Sequence, residues 1–168
     1  MSQTEHAAIR AVMDLYGFAV DTQRWHLFDQ IFTPDVDANW GGSAIWNDIE
    51  VFKRDFADYH DQFDGTHHVM SNVIVDVDGD RAKAVTYGHW LLEKLGCPGG
   101  DIWRGEGWYD DELVRTDKGW RICRRRCGII RHEGNVGVMG SSDVDFKLET
   151  SPMRRAADRG EIGVLPHL

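Results

Sequence analysis

The sequence predicts an α+β domain in which three N-terminal helices pack on one face of a strongly curved, mainly antiparallel sheet. Three observations predict it. Up to residue 63, apolar side chains recur at three- and four-residue intervals, the period of a helix face. After Gly65 the period changes to short runs rich in β-branched and aromatic residues. "DGD", "GCPGGD" and "TDKG" interrupt those runs where hairpin turns belong. Helices first and strands afterwards define an α+β order.

The first helix is expected over 4–21, with Thr4 as N-cap and Ile9, Val12, Met13, Tyr16 and Val20 on one face. A second, over 24–32, carries Trp25, Phe28, Ile31 and Phe32 and ends at "TPD". "VDANW" (36–40) reads as a short strand before Gly41 and Gly42. A third helix, over 47–63, has Asn47 or Asp48 as its cap and buries Ile49, Phe52, Phe56 and Tyr59. Four strands follow as a meander. The tail from Glu133 is glycine-rich to Gly140, with a short helix around 151–159. This divides the chain into a domain at 1–132 and an extension at 133–168, packed on that domain or on a neighbouring subunit.

At 168 residues and 42% hydrophobic, the chain suffices for one well-packed core. Nineteen basic against twenty-eight acidic side chains give a formal charge of −9. That balance argues against nucleic acid or an anionic membrane as partner. The basic run "RICRRRCGIIR" (121–131) alternates with apolar residues and reads as a strand with one solvated face. Cys123 and Cys127 would lie about 13 Å apart along that strand, too far to bridge. With Cys97 they make an odd count and form no ligand pattern. A reduced, cytoplasmic protein is expected, and no stretch approaches a membrane span.

Seven tryptophans exceed what a small core readily fills. A concave sheet capped by helices would turn some of them into the lining of a small-molecule pocket. The chemistry centres on "GTHHVMSN" (65–72). Successive strand residues point to opposite faces, so His67 and His68 cannot grip one metal ion, and at most one faces inward. Asp21, at the unfavourable negative end of the first helix, is a candidate partner. A buried aspartate fixes the tautomer of an imidazole and makes it a better base near neutral pH.

The pieces "LYGFAVDTQRWHLFDQIFTPDV", "THHVMSN" and "GWRICRRRCGIIR" resemble the SnoaL-like branch of the nuclear-transport-factor-2-like superfamily over roughly residues 4–132. Within it the chain looks nearest to the scytalone dehydratases, lindane dehydrochlorinases and bile-acid 7α-dehydratases. The resemblance implies a cone-shaped fold and a cofactor-independent lyase with an Asp–His dyad inside the cone. It carries the dyad onto Asp21 and His68, the helix-1 tyrosine onto Tyr16, the asparagine after the base onto Asn72, and a charge-stabilising residue onto Arg131. It also offers His89 as a second inward histidine. Trp25, Trp40, Trp90 and Trp108 are the candidate substrate-lining aromatics. A homo-oligomer, dimer or trimer, is implied.

Two conflicts stand at this level. Five helical residues put Tyr16 and Asp21 about 140° apart. Alternation places His67, not His68, in phase with Val69, Val73, Val75 and Val77. A bulge, a strand buried on both faces, or His67 as base would each resolve the second conflict. The expected function is a metal-free acid–base lyase, dehydratase-like, acting on a hydrophobic, ring-containing molecule. An isomerase or cyclase using the same dyad is the alternative, as is a non-catalytic ligand-binding or dioxygenase small-subunit-like protein.

Overall fold

In the computed structural model, the residues described are 3–140 and 148–168. Residues 141–147 of the expected extension lie outside them. Helix α1 spans Gln3–Asp21 and buries Ile9, Val12, Met13, Tyr16, Ala19 and Val20. Thr4 falls inside its first turn rather than before it. Helix α2 spans Ile49–His60. Asp48 is its cap, accepting the backbone N–H groups of Glu50 and Val51 at 2.8 and 3.0 Å.

The second predicted helix is a correction. Residues Trp25–Gln30 form a 3-10 turn, and strand β1 (Phe32–Asn39) begins where an α-helix was expected to continue. Pro34 therefore lies inside a strand. The ladder from β1 to its neighbour skips from Phe32 to Asp37, so the missing N–H of Pro34 is not called upon.

Strand β2 is the two-residue Ile45–Trp46. The meander consists of β3 (Gly65–Asp78), β4 (Arg81–Glu93), β5 (Ile102–Thr116) and β6 (Gly119–Gly134). Together the strands make one sheet in the order β2-β1-β6-β5-β4-β3, antiparallel throughout except for β1 against β6. Strand β6 continues past the boundary expected at residue 132. Helix α3 spans Met153–Asp158.

Both α1 and α2 cover one face of the sheet and enclose the main core with Phe28, Phe52, Phe56, Trp90, Trp103, Tyr109 and Ile122. A smaller core joins Ala156, Ile162 and Val164 of the tail to Val85 and Trp108 of the sheet. Register shifts bend the strands between Ser71 and Ile74, Glu106 and Gly107, and Glu112 and Leu113.

These irregularities reverse which residues face the core. At Asn72 the backbone turns to a φ of 51°. Thr66, His68 and Met70 point inward before it, and Val73 and Val75 after it. The bulge is thus what reconciles the apolar phase of β3 with an inward His68. On β6, Ile122 pairs with Leu113 and Arg124 with Glu112, leaving Cys123 as the extra residue. Trp120 and Ile122 face the core before the bulge; Arg125 and Ile129 do so after it. The basic strand is therefore not simply solvated on one face, because Arg125 is 0% exposed.

Glycines set two close approaches. A Cβ on Gly17 would stand 3.1 Å from the carbonyl oxygen of His68, so its absence lets α1 lie against β3 at the histidine. A Cβ on Gly107 would meet the Gly128 carbonyl oxygen at 2.2 Å and the Trp90 ring at 2.3 Å. Gly107 thereby leaves the bed on which Trp90 lies flat.

Candidate active site

Asp21 is the last residue of α1, and its carboxylate reaches sideways to β3. Its Oδ1 lies 2.7 Å from Nδ1 of His68 and accepts the Thr66 hydroxyl at 3.1 Å. Oδ2 accepts the backbone N–H of His68 at 2.8 Å. Burial opposes ionisation of Asp21, yet the bonds from His68 and Thr66 outweigh it and hold the carboxyl below its ordinary range. A carboxylate accepts only, so Nδ1 of His68 carries the proton and Nε2 is left bare. The His68 side chain is 8% exposed and borders a cavity.

That cavity, about 80 Å³, lies between the sheet and the helices. Its wall is mostly aromatic: Tyr16, Trp40, Phe56, Tyr59, Trp90, Trp103 and Tyr109, with the two imidazoles of His60 and His68. Among the described residues, Leu92, Cys127, Ile129 and Met139 also line it. The volume is enough for two or three waters at about 30 Å³ each. A ring needs more, and the flexible Met139 side chain is the wall residue best able to yield.

Tyr16 and Asp21 do not need to share a helix face. Tyr16 meets the His68 ring edge-on across the cavity, with centroids 6.3 Å apart, while Asp21 approaches the Nδ1 edge. Burial raises the Tyr16 phenol well above its usual value, against the opposing pull of Arg125, so it is a hydrogen-bond donor. Tyr109 is raised likewise by burial and interacts with the Tyr16 hydroxyl.

Arg125 organises this pair. Its guanidinium lies 4.3 Å from the Tyr16 ring centroid and 4.4 Å from that of Tyr109. Asp111 holds it through two 2.7 Å bonds, and both side chains are 0% exposed. Burial pushes the Asp111 carboxyl up, with Arg125 opposing.

Of the residues singled out from the sequence, Asp21, His68, Tyr16, Trp40 and Trp90 come together here. Four do not line the cavity. Arg131 is 56% exposed and pairs with Glu133 at 2.7 Å, beside the outward-facing His67 and His89. Trp108 belongs to the outer core and donates its indole N–H to the Ser151 carbonyl. Trp25 packs behind the wall against Phe28, Phe56 and His60. Asn72 is exposed at the bulge. His89 is outward, so the second inward histidine is His60, which the sequence reading passed over. Its signal was present: Phe52, Phe56 and His60 repeat every four residues on one helix face.

The described residues thus form a helix-flanked, bent sheet that encloses an aromatic cavity with a carboxylate-bound histidine at its wall. The chain belongs to the SnoaL-like domain family, whose pattern it matches over residues 2–126. It is 28% identical over 131 residues to the uncharacterized protein Rv2910c of Mycobacterium tuberculosis, covering 73% of this chain and 83% of that protein. Solved structures share the fold at low identity. One is the Kfla4162 protein of Kribbella flavida, 21% identical over 83% of this chain and 99% of that one, with a TM-score of 0.77. Another is a provisionally assigned scytalone dehydratase of Novosphingobium aromaticivorans, 19% identical over 91% and 95%, with a TM-score of 0.73. A third is the hexachlorocyclohexane dehydrochlorinase LinA-type3 of Novosphingobium barchaimii, 16% identical over 84% and 95%, with a TM-score of 0.68. No helix among the described residues is long and apolar enough to cross a membrane.

Proposed function

We propose that the chain is a cofactor-independent acid–base lyase, of dehydratase type, acting on a hydrophobic ring-containing molecule. The observation that carries this reading is the 2.7 Å contact between Asp21 and His68 at the wall of an aromatic cavity. With Nδ1 committed to Asp21, Nε2 of His68 removes a proton from carbon next to a carbonyl. The carbon–hydrogen electron pair moves to the carbonyl oxygen, where the Tyr16 hydroxyl donates a hydrogen bond to the developing charge. Return of those electrons forms the carbon–carbon double bond and expels a β-hydroxyl, which takes the proton from the imidazolium and leaves as water. A β-halide would leave as halide by the same path.

Arg131 has no part in this scheme, because its side chain stands on the outer face. Charge stabilisation falls instead to Tyr16 and Tyr109, held by Arg125. Placement in a family with a dehydratase-type and a dehydrochlorinase neighbour supports the reaction class. A dimeric or trimeric assembly in the cytoplasm belongs to the same reading, and light scattering tests the assembly.

The test is elimination from a panel of cyclic β-hydroxy ketones, followed by the absorbance of the conjugated product. Wild type should exceed the buffer rate on at least one member, and His68→Gln should return to it. Turnover by His68→Gln at the wild-type rate would sink the reading.

A further inference from the structure

We infer that His60 is a second ligand-contacting histidine, one that accepts a hydrogen bond from a hydroxyl, so that the cavity selects hydroxylated rings over hydrocarbon ones of equal size. His60 is the last residue of α2 and is 4% exposed. Its Nδ1 lies 2.7 Å from the Phe56 carbonyl oxygen. A carbonyl only accepts, so Nδ1 carries the hydrogen and Nε2 keeps a bare lone pair. The ring borders the same cavity as His68, and no hydrogen bond to Nε2 occurs among the described residues.

The helix has no need of a histidine there. The position continues the Phe52–Phe56 stripe, packs on Phe56, Tyr59 and Trp25, and would bury phenylalanine without an unpaired acceptor. A bare acceptor at the wall of a mostly apolar cavity is a hydrogen-bonding position that a ligand hydroxyl can fill and a hydrocarbon cannot. Burial, with His68 acting in the same direction, lowers the His60 pKa to about 3. His60 therefore stays neutral and accepts a hydrogen bond, while proton transfer is left to His68. The two histidines are also held relative to one another. Gln23, two residues beyond Asp21, turns at a φ of 51° and donates its amide to the His60 carbonyl at 3.1 Å.

This deepens the proposed function by taking the same cavity as the substrate site, but it requires no turnover. The probes are phenol and toluene, which differ only in O–H against CH₃, added to the full ¹⁵N-labelled chain. Phenol should shift the Nε2 resonance of His60, and toluene should not. In His60→Phe, which fills the same space, the ratio of phenol to toluene affinity should fall about 10-fold. A stationary His60 Nε2 resonance at saturating phenol, or an equal shift with toluene, overturns the inference even if the variant fails to fold. Asp21→Asn separates the two readings: it should abolish turnover while leaving the phenol response of His60 in place. Retained turnover with that response intact would remove the dyad and keep His60.

Discussion

Nδ1 of His68 sits 2.7 Å from Oδ1 of Asp21, and the other oxygen of that carboxylate accepts the histidine's own backbone N–H. One carboxylate thus fixes both the ring and the strand that carries it. Asp21→Asn would offer an amide that can turn its N–H₂ toward Nδ1 and favour the wrong tautomer. It is expected to lower kcat/KM by roughly 10²-fold or more, with an unchanged far-ultraviolet circular dichroism spectrum. Steady-state kinetics on any substrate the wild type turns over checks it.

The Arg125–Asp111 pair makes a stability prediction. Removing one member of a fully buried pair strands the other charge, so Arg125→Met should cost about 3–5 kcal/mol. Adding Asp111→Leu should recover at least ~1 kcal/mol of that loss, because the two residues touch and their effects are not additive. Urea unfolding of the single and double variants measures this coupling. Additive losses would contradict it.

Acid should destabilise the fold well above the ordinary carboxylate range. The folded pKa of His60 is about 3 against an ordinary 6.5. The unfolded chain therefore binds a proton between those values that the folded chain does not. The stability is fully present above about pH 6.5 and falls toward pH 3 at ~1.4 kcal/mol per pH unit. Asp21, held below its ordinary range, adds a further loss only when the pH drops below about 4. Unfolding at pH 7, 6 and 5 should show this limb in wild type, and His60→Phe should flatten it.

Gly107→Ala should be among the more damaging single-methyl additions in the sheet. The new Cβ would press on the Gly128 carbonyl oxygen, which is backbone, and on the Trp90 ring. A loss of about 2–3 kcal/mol is expected, read as a lower Tm, together with a change in Trp90 fluorescence as the ring leaves the cavity wall.

The α1 and α2 periodicities, the four long strands and their turns were legible because each is a local pattern. Asp21 and His68 are joined only by tertiary structure, so the position of Asp21 at a helix end offered it as a partner and the resemblance supplied the pairing with His68. What alternation misjudged traces to three bulges. The one at Asn72 puts His68 rather than His67 inward, the one at Cys123 sends Arg125 into the core, and the one at Ile130, between the Gly107–Ile129 and Glu106–Arg131 pairs, leaves Arg131 outside. A bulge shifts phase by one residue, and nothing in the neighbouring side chains of either strand marks it. The second helix misled for another reason. Trp25, Phe28, Ile31 and Phe32 have helical spacing, but β1 claims Phe32 for its ladder with β6.

The central claim is that His68, and not its neighbour, is the base. The most direct measurement is kcat/KM for His67→Ala and His68→Ala on one cyclic β-hydroxy ketone that wild type dehydrates. The account expects His67→Ala to stay within about 3-fold of wild type and His68→Ala to lose roughly 10²-fold or more. Equal activity in the two variants would contradict it.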